Sequence, residues 1–425
     1  MRFTSTFIIV LATTLCLGLP NHAAAQPKPG DVFREYTWCK DITDDGSFLR
    51  VGVQQGESAG DRRSGVDCVT APMVLAHDFE LEEGIKAEVI IEKLLCHDGT
   101  RGLAIQVNGH DWVEVLEAAK IPSPPWDYQH HIYPVVPISL AHLKQGRGNE
   151  FRLRVSPEHP WKWPQNLIYG VHFRIYYDLT RKKHPTGRLV APQPGSELGR
   201  TVELGAMASS PNGRIRQVDF LGLYEDVNFE GDGEYRQWHY HYFRGDLTNH
   251  IGTVAKQPFR MTWDTSWVPD QPQAFQLAAR ITDDSGLIYF TEAVTGLKFK
   301  RPGLAVELCM PYDIPKQWVT RAGEKQEKFR VAGDLSKAVA IQLVWSSWSP
   351  GYMNGIHLNG TKVFSQEGPR YQYFAHRVTL PDVRALVPGE NLLSTGLTPK
   401  YNGKMVHGME VNWPGIMALI QYRTD

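Results

Sequence analysis

Short apolar runs broken by turn residues recur along the whole chain, and that alternation restricts the fold more than any other feature. Such runs lie at residues 87–95, 103–107, 151–155, 171–177, 275–281, 287–291, 338–345 and 416–422. Apolar spacing at the helical period is nearly absent, with brief candidates only at 139–144 and 382–386. A chain of strands with no crossover helices cannot build a parallel α/β sheet and must bury its strands as antiparallel sandwiches. Twelve tryptophans, seventeen tyrosines and twenty-eight prolines suit sandwiches with many turns. A length of 425 residues exceeds what one hydrophobic core organises, so two or three units are expected.

The first residues read as an export signal. Arg2 gives a positive start, an apolar stretch runs from Phe7 to Leu19, and Ala23-Ala24-Ala25 offers small residues for cleavage. The expectation is a signal peptide at 1–25 and a secreted or periplasmic product. No later segment is apolar enough to span a membrane as a helix. Cys39, Cys68, Cys96 and Cys309 follow the signal, an even number that suits disulfides in an oxidising compartment, with Cys39–Cys68 the nearest local pair and free buried thiols the alternative. A formal charge of −1 gives no electrostatic footprint for nucleic acid.

Two stretches read alike. The first runs Ile105-Gln106-Val107-Asn108-Gly109, then Tyr128-Gln129, then Val136 to Leu140, then Gly148-Asn149; the second runs Ile356-His357-Leu358-Asn359-Gly360, then Tyr371-Gln372, then His376 to Leu380, then Gly389-Glu390-Asn391. Each closes on a Trp-Pro pair, Trp163-Pro164 and Trp413-Pro414, before a final strand. A strand, an Asn-Gly turn, a returning strand and a second turn form a physical unit. Its order resembles the galactose-binding-like jelly roll of carbohydrate-binding modules. The stretch between resembles an immunoglobulin-like domain, through Gly213 to Phe220 and Ala279 to Gly286. The resemblance implies an all-β, multi-domain β-sandwich, with a jelly roll at 26–180, an Ig-like sandwich at 196–315 and a jelly roll at 316–425; residues 181–195, basic and then rich in Pro and Gly, read as a linker.

Three clusters carry candidate chemistry. Asp226, Asn228, Glu230, Asp232 and Glu234 alternate hard oxygen ligands around Gly231 and Gly233, as a wrapped Ca²⁺ loop needs, although Gln237 stands where a closing Glu belongs. An acidic hairpin is the alternative. Trp238-His239-Tyr240-His241-Tyr242 follows, and a strand would place His239 and His241 on one face as acid, base or metal ligands. Last come aromatic loops with Trp126, Tyr128, His130 and His131, then Trp161 and Trp163; rings of this kind, with Trp238, stack on sugar faces while imidazoles meet hydroxyls.

The order His130-His131, His172, His239-x-His241, Met310 is similar to the ligand order of the copper-dependent peptidylglycine hydroxylating monooxygenases. No Gly-x-Ser-x-Gly elbow, P-loop or His-Glu-x-x-His helix occurs. The expected function is a secreted carbohydrate-binding protein of a polysaccharide-utilising system, with a poly- or oligosaccharide as partner. Alternatives are a glycoside hydrolase or polysaccharide lyase using His239 or His241, a scaffold whose aromatic clusters are packing, and the copper-dependent enzyme.

Overall fold

A computed structural model describes residues 27–41, 48–52, 69–94, 101–156, 158, 166–320, 323–348, 352–367, 373–396 and 409–425. Trp161, Trp163, Cys68, Cys96 and the expected signal segment lie outside these residues. The protein is all-β, with three packed sandwiches and no α-helix among the described residues. The two helical candidates resolve into a single 3₁₀ turn at Leu140–His142 and an irregular turn near residue 382.

Each sandwich has its own apolar core. In the first, strands Val32–Cys39, Asn166–Tyr177 and Gly84–Leu94 face the sheet of Met73–Val74, Glu150–Arg154, Ala104–Val107 and Val113–Glu114, closing over Val89, Ile91, Ile105, Phe151 and Phe173. In the central sandwich, Ile215–Glu225, Phe275–Asp283 and Val294–Phe299 face Thr186–Ala191, Thr201–Ser209 and Phe259–Asp264 over Phe220, Trp263, Phe275 and Leu297. In the third, Ala305–Cys309, Met417–Tyr422, Ala338–Trp348 and Tyr373–Leu380 face Lys325–Val331, Gly389–Thr395, Tyr352–Leu358 and Thr361–Glu367 over Trp318, Trp345, Ile356 and Ile420.

Two local findings refine the sequence reading. Residues 181–195, expected as a linker, contain the strand Thr186–Ala191, which pairs with Thr201–Ser209 inside the central sandwich. The strand Ala305–Cys309, expected in the central unit, instead pairs with Met417–Tyr422.

The first two sandwiches share a sheet. Val32, Phe33 and Arg34 pair with Tyr289, Ile288 and Leu287, so one thirteen-stranded sheet runs through both. Behind this join Glu35 accepts from Arg174 Nε at 2.9 Å, from Arg280 at 2.7 Å and from the Tyr242 hydroxyl at 2.5 Å. Burial alone raises the Glu35 carboxyl, but Arg280 and Arg174 outweigh it and hold the group down at about 2. Phe33, Tyr176, Trp238, Tyr240, Tyr242 and Phe290 pack around these ions.

The third sandwich docks on both others. Val227 and Phe229 of the central unit press onto Val306, Val344, Met417 and Leu419. Phe48, Leu94, Leu167 and Tyr169 of the first meet Trp348 and Tyr373 of the third, and the Trp348 indole N–H donates to the Tyr169 hydroxyl at 3.1 Å. The segment before His131 is stitched in as well: Trp413 N donates to Gln129 O at 2.6 Å, and Gln317 N to Asp127 O at 2.8 Å.

Candidate functional site

The three sandwiches converge on the strand end that carries Glu92, Leu94 and, on its neighbour, His131. Leu94 pairs with His131 across the ladder, and residues two apart along a strand share a face, so Glu92 and His131 emerge together. Glu92 Oε1 lies 3.5 Å from His131 Nε2, and both side chains are fully buried. Glu92 Oε2 accepts the Arg244 backbone N–H at 2.8 Å. That donor belongs to the hairpin of His241–Phe243 and Asp246–Thr248, whose turn residues Arg244 and Gly245 hold φ of 53° and 91°. A Cβ at Gly245 would sit 3.1 Å from Thr37 Cγ2, so glycine lets the hairpin tip reach the first sandwich.

Aromatic rings enclose this centre. The Tyr133 ring stacks on His241 at 5.0 Å, His131 meets Tyr373 edge-on at 4.2 Å, and the His131 and His241 ring centres are 6.2 Å apart. Burial raises the Glu92 carboxyl to about 8 against the pull of the Arg244 N–H and charge, so it carries its proton near neutrality. Burial also pushes His131 well below its ordinary value, reinforced by His241 and His130, and takes His241 down to about 3. Both imidazoles are therefore neutral. Asn249 Nδ2 lies 2.9 Å from His241 Nε2 and fixes that ring.

A set of buried polar atoms lines the seam between the first and third sandwiches without a hydrogen-bond partner. They are Glu92 Oε1, His131 Nε2, both amide atoms of Gln129, Asn412 Oδ1 and Trp413 Nε1. Tyr128 packs edge-on against Trp413 at 5.7 Å beside them. Buried polar atoms are nearly always bonded, so such a concentration marks a place built for a polar partner.

The other sequence candidates are distributed differently. His239 does not share the His241 environment: residues 239–240 fall between strands Arg236–Trp238 and His241–Phe243, and its ring contacts Glu230 at 3.3 Å and the Tyr224 carbonyl at 2.9 Å. Burial disfavours its charge, but Glu230 and Asp226 raise it to about 9. Trp238 is buried between sandwiches, edge-on to Phe290 at 5.1 Å. Trp126 is half-buried with the Arg101 guanidinium 3.7 Å above its ring. His130, just before the strand His131–Ile132, has Nε2 3.3 Å from Glu117.

The acidic loop is held by its own bonds. Asn228 Nδ2 donates to Asp232 Oδ1 at 2.8 Å and to the Glu234 carbonyl at 2.9 Å, and Asn228 Oδ1 accepts from Gly233 N at 2.9 Å. Glu230 faces His239, and Glu234 reaches out to Lys120 at 2.9 Å. Among the described residues no group of three or more His, Cys, Asp or Glu side chains gathers as a metal ion requires. Of the copper-type set, His172 hydrogen-bonds Thr37 at 2.9 Å and Met310 is exposed. Cys39 and Cys309 are free thiols; burial and then Glu92 push the Cys39 thiol up to about 11.

Sequence reading had singled out His131 and His241 but not Glu92, Gln129, Asn412 or Trp413 as site residues. Glu92 left a weak signal: a carboxylate directly after the apolar Val89-Ile90-Ile91, in a strand, Gly84–Leu94, that also holds Lys86, Glu88 and Lys93.

No family model matches the chain, and no curated protein matches it. Solved structures match only distantly. Fibronectin(III)-like modules of Clostridium thermocellum CbhA share 13% identity over 47% of this chain and 80% of theirs, with a TM-score of 0.19. A β-porphyranase of glycoside hydrolase family 86 from Bacteroides plebeius shares 11% over 56% and 38%, at 0.23. PNGase F shares 8% over 92% and 96%, at 0.21. Likeness at this level says nothing of activity.

Proposed function

We propose that this chain is a carbohydrate-recognising protein working outside the cytoplasm, with its ligand site on the seam around Glu92, Gln129, His131, Asn412 and Trp413. One observation carries the reading: the buried, unpartnered atoms there mix donors and acceptors. An ion would call for one sign of partner. A sugar hydroxyl both donates and accepts, and the apolar C–H faces of a pyranose suit the rings of Tyr128, Trp413 and Tyr373. Affinity electrophoresis against a panel of plant, algal and host glycans tests this. Retardation by at least one, abolished in Gln129→Ala and Trp413→Ala, is expected. No retardation by any member of the panel overturns it.

A second reading, cleavage of the bound glycan, is favoured by Glu92. A carboxyl that keeps its proton near neutral pH beside a neutral imidazole meets the requirement for a general acid at a leaving oxygen. Release of reducing sugar or unsaturated uronate that is lost in Glu92→Gln, with binding retained, supports it. Equal release from the variant removes Glu92 from that role.

A further inference from the structure

On the opposite face of the same strand lies a group that the glycan reading does not use. Lys93 is fully buried in the core of the first sandwich, on the side that carries Val89 and Ile91. Buried lysines are rare and are held by an acid. Here the Lys93 ammonium donates to Glu117 Oε1, and Glu117 Oε2 lies 3.3 Å from His130 Nε2. Asn166 is also fully buried, and neither its amide nitrogen nor its amide oxygen has a hydrogen-bond partner.

The ladder places these groups together. Lys93 pairs with Ile168. Asn166 lies two residues along the same strand and so on the same core-facing side, opposite Val51. Diagonal neighbours of this kind stand about 7–8 Å apart at the backbone, within reach of a lysine side chain. An amine and a carboxamide thus share a core from which water is excluded, and the Glu117 carboxylate that meets the amine stands at its edge, 25% exposed.

We propose that Lys93 and Asn166 become joined by a side-chain amide bond, with Glu117 carrying the protons. The Lys93 ammonium passes a proton to the Glu117 carboxylate along their hydrogen bond. The freed Nζ lone pair attacks Asn166 Cγ, forming an N–C bond and pushing the carbonyl electrons onto Oδ1. Glu117 gives its proton to Nδ2 and takes one from the attacking nitrogen. The Cγ–Nδ2 bond then breaks, the carbonyl reforms and ammonia leaves. Nothing is oxidised or reduced. The core loses a buried charge, the unpartnered amide is consumed, and the strands Gly84–Leu94 and Asn166–Tyr177 are tied covalently.

Mass spectrometry of the purified full chain decides it. Protease digestion is expected to yield one branched peptide containing Lys93 and Asn166, lighter than the sum of the two linear peptides by one ammonia. Glu117→Gln and Lys93→Met should yield the two linear peptides instead. Recovery of unlinked Lys93 and Asn166 peptides as the main species from the wild-type chain overturns the proposal, and that result stands even if a variant fails to fold.

Discussion

The Asn359 side-chain amide donates to Asn391 Oδ1 at 2.8 Å, and the Asn108 amide donates to Asn149 Oδ1 at the same distance. Each first asparagine sits at φ 49° before a glycine, and its own Oδ1 accepts the backbone N–H that follows the second asparagine's strand position, Leu392 or Glu150, at 2.9 Å. Each second asparagine also clamps a turn: Asn391 bonds both N and O of Val387, and Asn149 both N and O of Lys144. The two stretches that read alike therefore close by the same clasp. Replacing Asn391 by Leu strands the part-buried N–H and C=O of Val387 and the C=O of Gly389, at up to about 1–3 kcal/mol each. Chemical denaturation should show a large loss of stability in the third sandwich, while Asn391→Asp, which keeps the acceptor, should lose less.

Glu92 sets a pH dependence of opposite sign to most carboxylates. Its folded value of about 8 lies above the ordinary 4.5, so the folded state holds the proton longer. Its contribution is complete below about 4.5 and declines by about 1.4 kcal/mol per unit as pH rises toward 8. Melting curves across that range should fall less steeply for Glu92→Gln than for the wild type. Parallel curves would show that Glu92 does not retain its proton.

Glu35 works the other way. Depressed to about 2, it stabilises the fold above its ordinary value and releases that stability as pH falls from about 4.5 toward 2. Glu35→Ala leaves Arg280 buried without its acid, while Arg174 keeps Glu88 at 2.7 Å, a loss of about 3–5 kcal/mol. The measurement is denaturant midpoint, with Glu35→Gln expected to be intermediate because Tyr242 keeps a partner.

The calcium reading of the 226–234 loop has a direct test. Gathering its carboxylates on an ion would break the Asn228–Asp232 and Glu230–His239 contacts. Melting midpoints in chelator and in millimolar Ca²⁺ are therefore expected to coincide. A midpoint that climbs with calcium concentration would show that the ion does displace those bonds.

Much of the architecture was open to reading along the chain because strand period and turn chemistry are local. Alternating apolar residues, Asn-Gly pairs and prolines specify antiparallel sandwiches wherever the chain ends up, and Asn108 and Asn359 advertise their turns through the residue types that tolerate positive φ. The candidate site was legible only in part. His131 and His241 stand out as histidines in aromatic runs, whereas Gln129 and Asn412 are ordinary polar residues until two sandwiches enclose them.

The sequence by itself determined that the chain is all-β, that it forms several cores and that two of its stretches share one turn design. Tertiary structure decided which faces meet. Val32 could have edged any sheet, but pairing with Tyr289 fused two sandwiches. His239 and His241, two residues apart, took opposite charge states because one was set against Glu230 and Asp226 while burial, with His250 nearby, kept the other neutral. Burial and neighbouring charge fix the protonation of Glu92, Glu35 and these histidines, and for Glu92 and Glu35 the neighbours Arg244 and Arg280 lie 152 and 245 positions away.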